Sequence, residues 1–245
     1  MKVALLGGTR GMGRALGRAM ATRGDRLFLL GRNADDVARS ARDLEAHGAG
    51  GEVGTAYCDL LDPPSCAPAL ARADAALSGI DTVVLTAGAF DTQETLEREP
   101  DRLARVLTAN FTSSVVFCEE ARRVLLARGG GTLCAFSSVA GDRPRKPVVL
   151  YGAAKAGLTY YLEGLDLRYR RAGLRVVCVK PGFVRTSMTV GLPVPPFAGD
   201  PDHVARIVLR AIDAGKPVVY APPVWRLVML VIRHLPRFVM RRVGF

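Results

Sequence analysis

"KVALLGGTRGMGRALG", residues 2–17, runs from a short apolar stretch into a glycine-rich turn and on into a helical pattern. Gly7, Gly11 and Gly13 form G-x3-G-x-G at this junction. Where side chains are missing, backbone N–H groups and a helix N-terminus can approach a pyrophosphate. Glycines also serve tight turns for steric reasons alone. The position of the motif, after the first strand and before a helix, therefore favours a nucleotide site.

Six further apolar runs follow and alternate with helical patterns along the chain. The runs are continuous in Val, Leu and Ile, as expected for strands buried on both faces. The predicted helices are 14–23, 34–47, 64–77, 101–128, 150–171 and 202–214. This rhythm predicts an α/β fold, a Rossmann-type doubly wound parallel sheet of about seven strands with helices on both faces. With no internal repeat or linker, we expect one domain over 1–221, followed by a tail at 222–245.

Composition and charge limit the classes of function. A chain of 245 residues with 49% hydrophobic residues can bury one large core. The five cysteines have no CxxC or zinc-ligand spacing, so we expect reduced thiols, no metal site and a cytoplasmic protein. The first apolar run is too short for a signal peptide. The net charge of +11 suits nucleic acid, anionic lipid or a phosphorylated ligand, and the lack of a nucleic-acid motif argues against the first.

Four more stretches accompany the glycine turn in a fixed order. "YGAAK" places Tyr151 and Lys155 four residues apart, on one face of a helix. A lone YxxxK recurs by chance, but here "ANFTSS" with Asn110 and "FSSVAG" with Ser138 precede it, and "KPGFVRT" follows the sixth strand. Together the five motifs resemble the short-chain dehydrogenase/reductase family in its compact form, over residues 1 to roughly 220.

The resemblance implies hydride transfer with Tyr151 as the proton donor in reduction and the base in oxidation. A free tyrosine has a pKa of about 10, and the neighbouring Lys155 ammonium is expected to lower it. Ser138 is expected to hydrogen-bond the substrate oxygen, with Ser137 as the competitor for that role. By the same resemblance, Lys155 also holds the nicotinamide ribose, and Asn110 holds a water that links the lysine to solvent.

The cofactor preference depends on the end of the second strand, where NAD-preferring sites usually carry an acidic residue. Here Gly31 and Arg32 occupy that end, and the segment offers no carboxylate to repel a 2′-phosphate. Arg32 and Arg10 are suited to that phosphate, so NADP(H) is predicted in preference to NAD. The alternative is that both arginines are solvated surface residues.

The family resemblance extends to the other cofactor contacts, and two positions depart from it. The implied set is Gly7, Thr9, Arg10, Gly11, Met12, Gly13, Arg32, Asn33, Asp59, Leu60, Ala87, Gly88, Tyr151, Lys155, Pro181, Gly182, Val184 and Thr186. Leu6 and Thr86 stand where the family usually has threonine and asparagine. These two departures concern local hydrogen bonds between strands rather than hydride transfer.

Residues 187–200, "SMTVGLPVPPFAGD", occupy the place of the family's substrate lid. The segment is apolar and carries no cation, with Met188, Val190, Leu192, Val194 and Phe197. An apolar or lipid-like substrate fits this lining. An equally open interpretation is that these residues only pack the lid onto the body of the protein.

The tail, residues 222–245, contains five arginines, one histidine and no acid around the apolar run 227–232. It is too short to span a bilayer, which needs about 20 apolar residues. Pro236 is expected to end or kink a helix here. Such a segment can lie in the interface of the cytoplasmic face of a membrane, and it resembles tails of bacterial relatives that reduce keto-sugars on lipid carriers. The alternative is burial in an interface of a homodimer or homotetramer.

These observations predict an enzyme that reduces a small-molecule carbonyl compound with NADPH, reversibly, with an apolar or lipid-linked substrate. An epimerase or dehydratase of the extended type is disfavoured by the short carboxyl-terminal region. The alternative from another class is a non-catalytic NADP-binding scaffold or sensor. Loss of Tyr151 or Lys155 would have favoured that alternative, and both residues are present.

Overall fold

Seven parallel strands form one sheet in the computed structural model, which describes residues 1–242. The strands are β1 (Lys2–Leu6), β2 (Arg26–Gly31), β3 (Gly54–Tyr57), β4 (Thr82–Leu85), β5 (Gly131–Phe136), β6 (Leu174–Pro181) and β7 (Val218–Ala221). Their spatial order is β3-β2-β1-β4-β5-β6-β7, and every neighbouring pair is parallel. The order reverses between β1 and β4, where doubly wound folds bind their ligands. The predicted fold is therefore confirmed.

Helices join the strands on both faces of the sheet. Within residues 1–242 they are α1 (Gly11–Thr22), α2 (Ala34–Ala46), α3 (Cys66–Leu77), α4 (Gln93–Arg98), α5 (Pro100–Leu107), α6 (Ser113–Ala127), α7 (Val149–Tyr169), α8 (Pro201–Asp213), α9 (Val224–His234) and α10 (Arg237–Arg242). Successive strand residues point to opposite faces. In β1, Val3 and Leu5 pack with α1, α2 and α8, whereas Ala4 and Leu6 pack with α3, α6 and α7. This explains why the strands are apolar throughout.

The long helix predicted for 101–128 is interrupted. A π-helical turn, Thr108–Thr112, separates α5 from α6. Two side chains bond to backbone carbonyls there: Asn110 donates through Nδ2 to Val106 O at 3.0 Å, and Ser114 donates through Oγ to Ala109 O at 2.7 Å. These polar side chains stabilise the wider turn, which sequence periodicity does not reveal.

The tail folds back onto the body of the protein. Its helices break between His234 and Arg237, around Pro236, as predicted. Trp225, Met229 and Ile232 are buried in a small core that includes Val139. The last three residues of the predicted tail, 243–245, lie outside the described part of the chain. Within residues 1–242, none of the helices combines the length and the apolar character needed to cross a membrane.

Candidate active site

The glycine turn after β1 packs directly on the end of β4. Gly7 has φ +97°, and a Cβ there would lie 2.5 Å from Ala87 N. A Cβ at Gly13 would lie 2.2 Å from Gly7 O. Thr86 completes the junction, since its Oγ1 donates to Leu6 O at 3.1 Å. The departure from the family at Thr86 thus retains a hydrogen bond between the two central strands.

The N-terminus of α1 faces the segment after β6. A Cβ at Gly11 would lie 3.3 Å from the Thr186 side chain, so the glycine turn and the segment after β6 lie next to each other. Arg10 is the N-cap residue of α1, and its side chain makes no capping hydrogen bond. The first N–H groups of a helix have no partner within the helix. Together with half-buried Thr9 and Met12, this turn fits the pyrophosphate of a dinucleotide.

A carboxylate lies beside Arg10, one of the two predicted phosphate ligands, which corrects the inference that no carboxylate is present there. Asp36, in the first turn of α2, pairs with Arg10 at 3.2 Å and also with Arg39. Asp36 follows the end of β2 by five residues, and the turn into α2 brings it back toward Arg10. Arg32 is exposed and has no carboxylate partner among residues 1–242. Of the two arginines, only Arg32 therefore has no carboxylate within residues 1–242 to offset its charge.

The remaining residues predicted near the adenosine follow β2 and β3. Asn33 caps α2, because its side chain accepts a hydrogen bond from Asp36 N at 2.9 Å. Asp59 folds its own loop, since Oδ1 accepts from Leu61 N at 3.0 Å. Leu60 is buried beside it. These residues fix the backbone at the carboxyl ends of the two strands.

Ser137 and Ser138 follow β5 but point to different surroundings. Ser137 is buried, and its Oγ donates to Lys155 O at 2.9 Å and bonds Thr159 Oγ1 at 2.6 Å. Ser138 is half-buried, and its Oγ accepts from Ala140 N at 3.1 Å in the 3₁₀ turn Val139–Gly141. Ser137 therefore braces α7 within the protein, and Ser138 is the serine that remains available to a substrate.

Lys155 and Asn110 approach each other across Gly88. Lys155 Nζ donates to Phe136 O at 2.9 Å and lies 5.8 Å from the centre of the Tyr151 ring. Asn110 is fully buried, with Nδ2 donating to Ala89 O at 2.6 Å. A Cβ at Gly88 would lie 2.7 Å from Asn110 Oδ1 and 3.6 Å from Lys155 Nζ. The structure thus brings the four predicted catalytic residues to the carboxyl ends of β4 and β5; the water held by Asn110 stays a prediction.

The pKa values in the protein alone differ from the expected lowering of the phenol. Burial raises the pKa of Tyr151 to about 12, and contact with the Ser138 hydroxyl only partly opposes it. Burial lowers the pKa of Lys155 to about 8. Both shifts arise because each charged form loses hydration. The expectation that the Lys155 ammonium lowers the pKa of Tyr151 was therefore wrong.

Sequence reasoning missed two residues that position Tyr151. The Phe90 ring meets the Tyr151 ring edge to face, with centres 5.2 Å apart and planes at 82°. Gln93 Oε1 accepts from Leu150 N at 3.1 Å, at the start of α7. The only available signal was that Phe90 follows Ala87 and Gly88 closely, in "TAGAF".

A buried polar network, also missed, holds the turn that carries Ser138. Lys180 Nζ lies 3.0 Å from Asp142 Oδ1, and Tyr220 donates its hydroxyl to Asp142 Oδ2 at 2.7 Å. Burial alone would lower the pKa of Lys180, but the hydrogen bond and charge of Asp142 outweigh it and raise the pKa. Because Asp142 ends the Ser138 turn, the network fastens this turn to β6 and β7.

The segment predicted to contact the nicotinamide carboxamide packs against the tail. Gly182 N donates to Ala221 O at 3.1 Å, and a Cβ on Gly182 would lie 2.1 Å from Trp225 Nε1. Pro181 and Val184 are buried on either side. Thr186 starts a 3₁₀ turn, with its Oγ1 accepting from Met188 N at 3.3 Å. Gly182 is therefore required to make room for the indole of Trp225.

The lid is a loop whose two ends are fastened together. Arg185 N donates to Gly199 O at 3.0 Å, and Gly199 N donates to Phe183 O at 2.8 Å. The lid and the segment before it form a cleft of about 400 Å³, lined by Phe183, Arg185, Thr186, Thr189, Val190, Gly191, Leu192 and Val194. The lining is mainly apolar, as expected, but Arg185 adds a cation from just outside the lid.

Comparison with known proteins identifies the family of this chain. The family described as short chain dehydrogenase matches residues 2–193. An uncharacterized oxidoreductase of Mycobacterium tuberculosis is 34% identical over 241 residues, which cover 98% of this chain and 96% of the relative. Carbonyl reductase family member 4 of Xenopus tropicalis is 26% identical, covering 86% of this chain and 90% of that protein. A short-chain type dehydrogenase/reductase structure from Mycobacterium ulcerans, 21% identical, superposes with a TM-score of 0.81 over 89% of this chain and 86% of its own. Together with the glycine turn after β1 and the contacts among Ser138, Tyr151 and Lys155, these matches make the chain a member of the short-chain dehydrogenase family, an oxidoreductase of the kind that uses a nicotinamide cofactor.

Proposed function

We propose that this protein reduces a carbonyl group to an alcohol with NADPH, in a reversible reaction with Tyr151 as the proton donor. The observation that carries the proposal is the convergence of Ser138, Tyr151 and Lys155, with Lys155 Nζ 5.8 Å from the centre of the Tyr151 ring and the Tyr151 hydroxyl in contact with Ser138. A reduced nicotinamide, when bound, supplies hydride to the carbonyl carbon. The residues of the chain then have to orient the carbonyl oxygen and protonate it.

Tyr151 suits the role of acid because burial keeps it neutral. With a pKa raised to about 12, the phenol carries its proton throughout the neutral range. As negative charge develops on the substrate oxygen, the Ser138 hydroxyl can donate a hydrogen bond to it while Tyr151 transfers its proton. The buried Lys155 ammonium, one helical turn along α7 and 5.8 Å from the centre of the ring, stabilises the phenolate that results. Phe90 and Gln93 support the geometry by fixing the ring and the start of α7.

The preference for NADPH is supported by the arginines at the adenosine end. Arg32 offers a planar set of donors suited to a 2′-phosphate and has no carboxylate partner among the described residues. Arg10 is held by Asp36, which a bound phosphate would have to displace or share. In this proposal Arg32 is the main determinant of the preference and Arg10 is secondary.

The substrate is proposed to be an apolar or lipid-linked small molecule. The apolar lining of the cleft formed by the lid supports this class, and the similarity to carbonyl reductase family member 4 supports carbonyl chemistry. We also propose that the protein is a homodimer or homotetramer and that it is cytoplasmic. Exposed Tyr160 and Leu167 on α7 support self-association, and the buried free thiols of the cysteines support a reducing compartment.

A panel of ketones and keto-sugars, lipid-linked ones included, tests the proposal with NADPH oxidation as the readout. Wild-type protein should turn over at least one carbonyl compound, faster with NADPH than with NADH, and Tyr151→Phe should not. The Ser137→Ala variant is the matched control for Ser138→Ala, since only Ser138 is expected to affect turnover strongly. Tight NADPH binding without turnover of any carbonyl would favour the scaffold or sensor instead.

A further inference from the structure

Helix α9 is apolar on two opposite sides, and only one of them is covered within residues 1–242. Trp225, Met229 and Ile232 face the body and are buried. At 100° per residue, Leu227, Leu230 and Val231 lie on the opposite side. Their exposed fractions are 66%, 56% and 64%. A surface helix normally carries polar residues there.

The lid beside α9 also exposes apolar side chains. Trp225 Nε1 donates to Phe197 O at 3.3 Å, so the lid is attached to the first turn of α9. Phe197 and Val194 are both 59% exposed, and Phe238 on α10 is 63% exposed. We name Leu227, Leu230, Val231, Phe238, Val194 and Phe197 the outer apolar face. Large exposed patches of this kind mark interaction sites.

Cations accompany the outer apolar face. Arg226 and Arg233 are seven residues apart and therefore lie on one flank of α9. Lys146 donates to Arg241 O at 2.7 Å, and Arg143 donates to Leu235 O at 2.9 Å. These bonds hold the ends of both tail helices against the loop before Tyr151. Residues 222–245 contain no acid, so the tail offers cations with no compensating carboxylate of its own.

The charges decide which partner fits. A two-fold contact between copies would place this surface against itself, and Arg226 and Arg233 would meet like charges. A different exposed apolar set, on α6 and α7, includes Tyr160 and Leu167 and has acids such as Glu163 nearby. That set is better suited to a second copy of the chain. The outer apolar face, flanked on α9 by Arg226 and Arg233, is suited to a surface of negative charge over hydrocarbon.

We propose that the outer apolar face docks on the surface of an anionic lipid bilayer. Apolar residues of α9 and the lid would enter the interface, and the arginines would lie at the level of the lipid phosphates. Since the lid forms part of this surface, the cleft that it forms would open beside the bilayer. A lipid-linked substrate could then reach Tyr151 without crossing water; this last step rests on the proposed function.

Vesicle sedimentation of the full chain, with no cofactor or substrate present, tests the docking. The protein should sediment with vesicles of phosphatidylcholine and phosphatidylglycerol, bind phosphatidylcholine alone weakly, and be partly released by high salt. Leu227→Gln with Leu230→Gln should weaken binding by at least about tenfold, and Arg226→Gln with Arg233→Gln by a similar factor, because both apolar burial and charge contribute. Glutamine keeps a high helix propensity, so melting temperatures should change little.

Tyr160→Gln with Leu167→Gln is the matched control, since it removes equally exposed apolar groups from α7. It should leave vesicle binding unchanged. Absence of binding by the wild-type chain, or equal loss in the control, overturns the proposal. So does dissociation of a lipid-free oligomer by the Leu227 and Leu230 changes in sedimentation velocity, which would assign the face to a second copy. Reduction of a soluble ketone, measured without vesicles, reports on the proposed function separately.

Discussion

Gly182→Ala tests how closely the tail packs on the active site. A Cβ at this position would lie 2.1, 2.2 and 2.3 Å from three atoms of the Trp225 indole. Gly182 has no positive φ, so the substitution tests space rather than backbone strain. Real Cβ atoms do not approach other atoms so closely, and the bicyclic ring cannot bend away as a flexible side chain would. Either Trp225 leaves its site or the strand end moves.

The expected loss of stability is the cost of the clash minus a smaller gain from replacing glycine. Overpacking a core usually costs about 1–3 kcal/mol, and replacing glycine by alanine restores about 0.4–1 kcal/mol through the unfolded chain. We expect Gly182→Ala to lower the free energy of unfolding by about 2 kcal/mol, or the melting temperature by about 4–8 °C for a chain of this size. Trp225→Ala alone should cost about 3–5 kcal/mol, as for other buried aromatic residues.

The double variant decides whether the two residues are in contact. Without the indole, the new methyl group meets no obstacle, so Gly182→Ala with Trp225→Ala should be about as stable as Trp225→Ala. Urea unfolding of the four proteins gives a coupling free energy of about 2 kcal/mol, well above the error of about 0.5 kcal/mol for independent sites. Gly164→Ala, where a Cβ meets nothing within 4 Å in α7, should stabilise the protein and serves as the control. Additive effects of Gly182→Ala and Trp225→Ala would refute the packing.

Three other predictions concern the proposed chemistry. Tyr151→Phe should lower turnover at least about a hundredfold while leaving the dissociation constant of NADPH nearly unchanged, because only the proton donor is lost; near-normal turnover removes Tyr151 from the mechanism. Lys155→Met removes a group whose titration should affect the stability of the wild type. The folded lysine loses its proton near pH 8 and the unfolded one near pH 10.5. Between these values the unfolded chain binds more protons, so the free energy of unfolding rises with pH. Relative to the variant, the wild type should gain about 3 kcal/mol across this window, since one pKa unit is worth about 1.4 kcal/mol; no gain would mean that the ammonium is solvated. Arg32→Asp should weaken NADPH binding far more than NADH binding, and an unchanged ratio of dissociation constants would leave the preference to Arg10 alone.

The fold could be predicted because its signals are local. Continuous apolar runs indicate strands that are buried on both faces, and the intervening helical periods leave few alternatives to a doubly wound sheet. The glycines of the turn could also be predicted, since Gly7 and Gly13 each have a steric reason to lack a side chain. The relation between Tyr151 and Lys155 follows from the pitch of a single helix.

The remaining features depend on contacts between residues far apart in the chain. Asp36 reaches Arg10 only after β2 and the start of α2 are in place, so its neutralising effect is absent from any sequence window. The pKa of Tyr151 is governed by how many neighbours exclude water from it, which spacing to Lys155 does not reveal. The tail likewise looked like an appendage, although Trp225 fills a space that Gly182 leaves for it.

The packing of the tail also determines when a newly made chain can work. Trp225 and Met229 join the core around Val139, next to the turn that carries Ser138, and Tyr220 bonds the Asp142 carboxylate at its end. A ribosome makes Tyr220, Trp225 and Met229 after strands β1 to β6 and the glycine turn. A nascent chain can therefore assemble most of its sheet before the serine turn is fixed. A product cut short before Tyr220 would retain these strands without a fully supported catalytic turn.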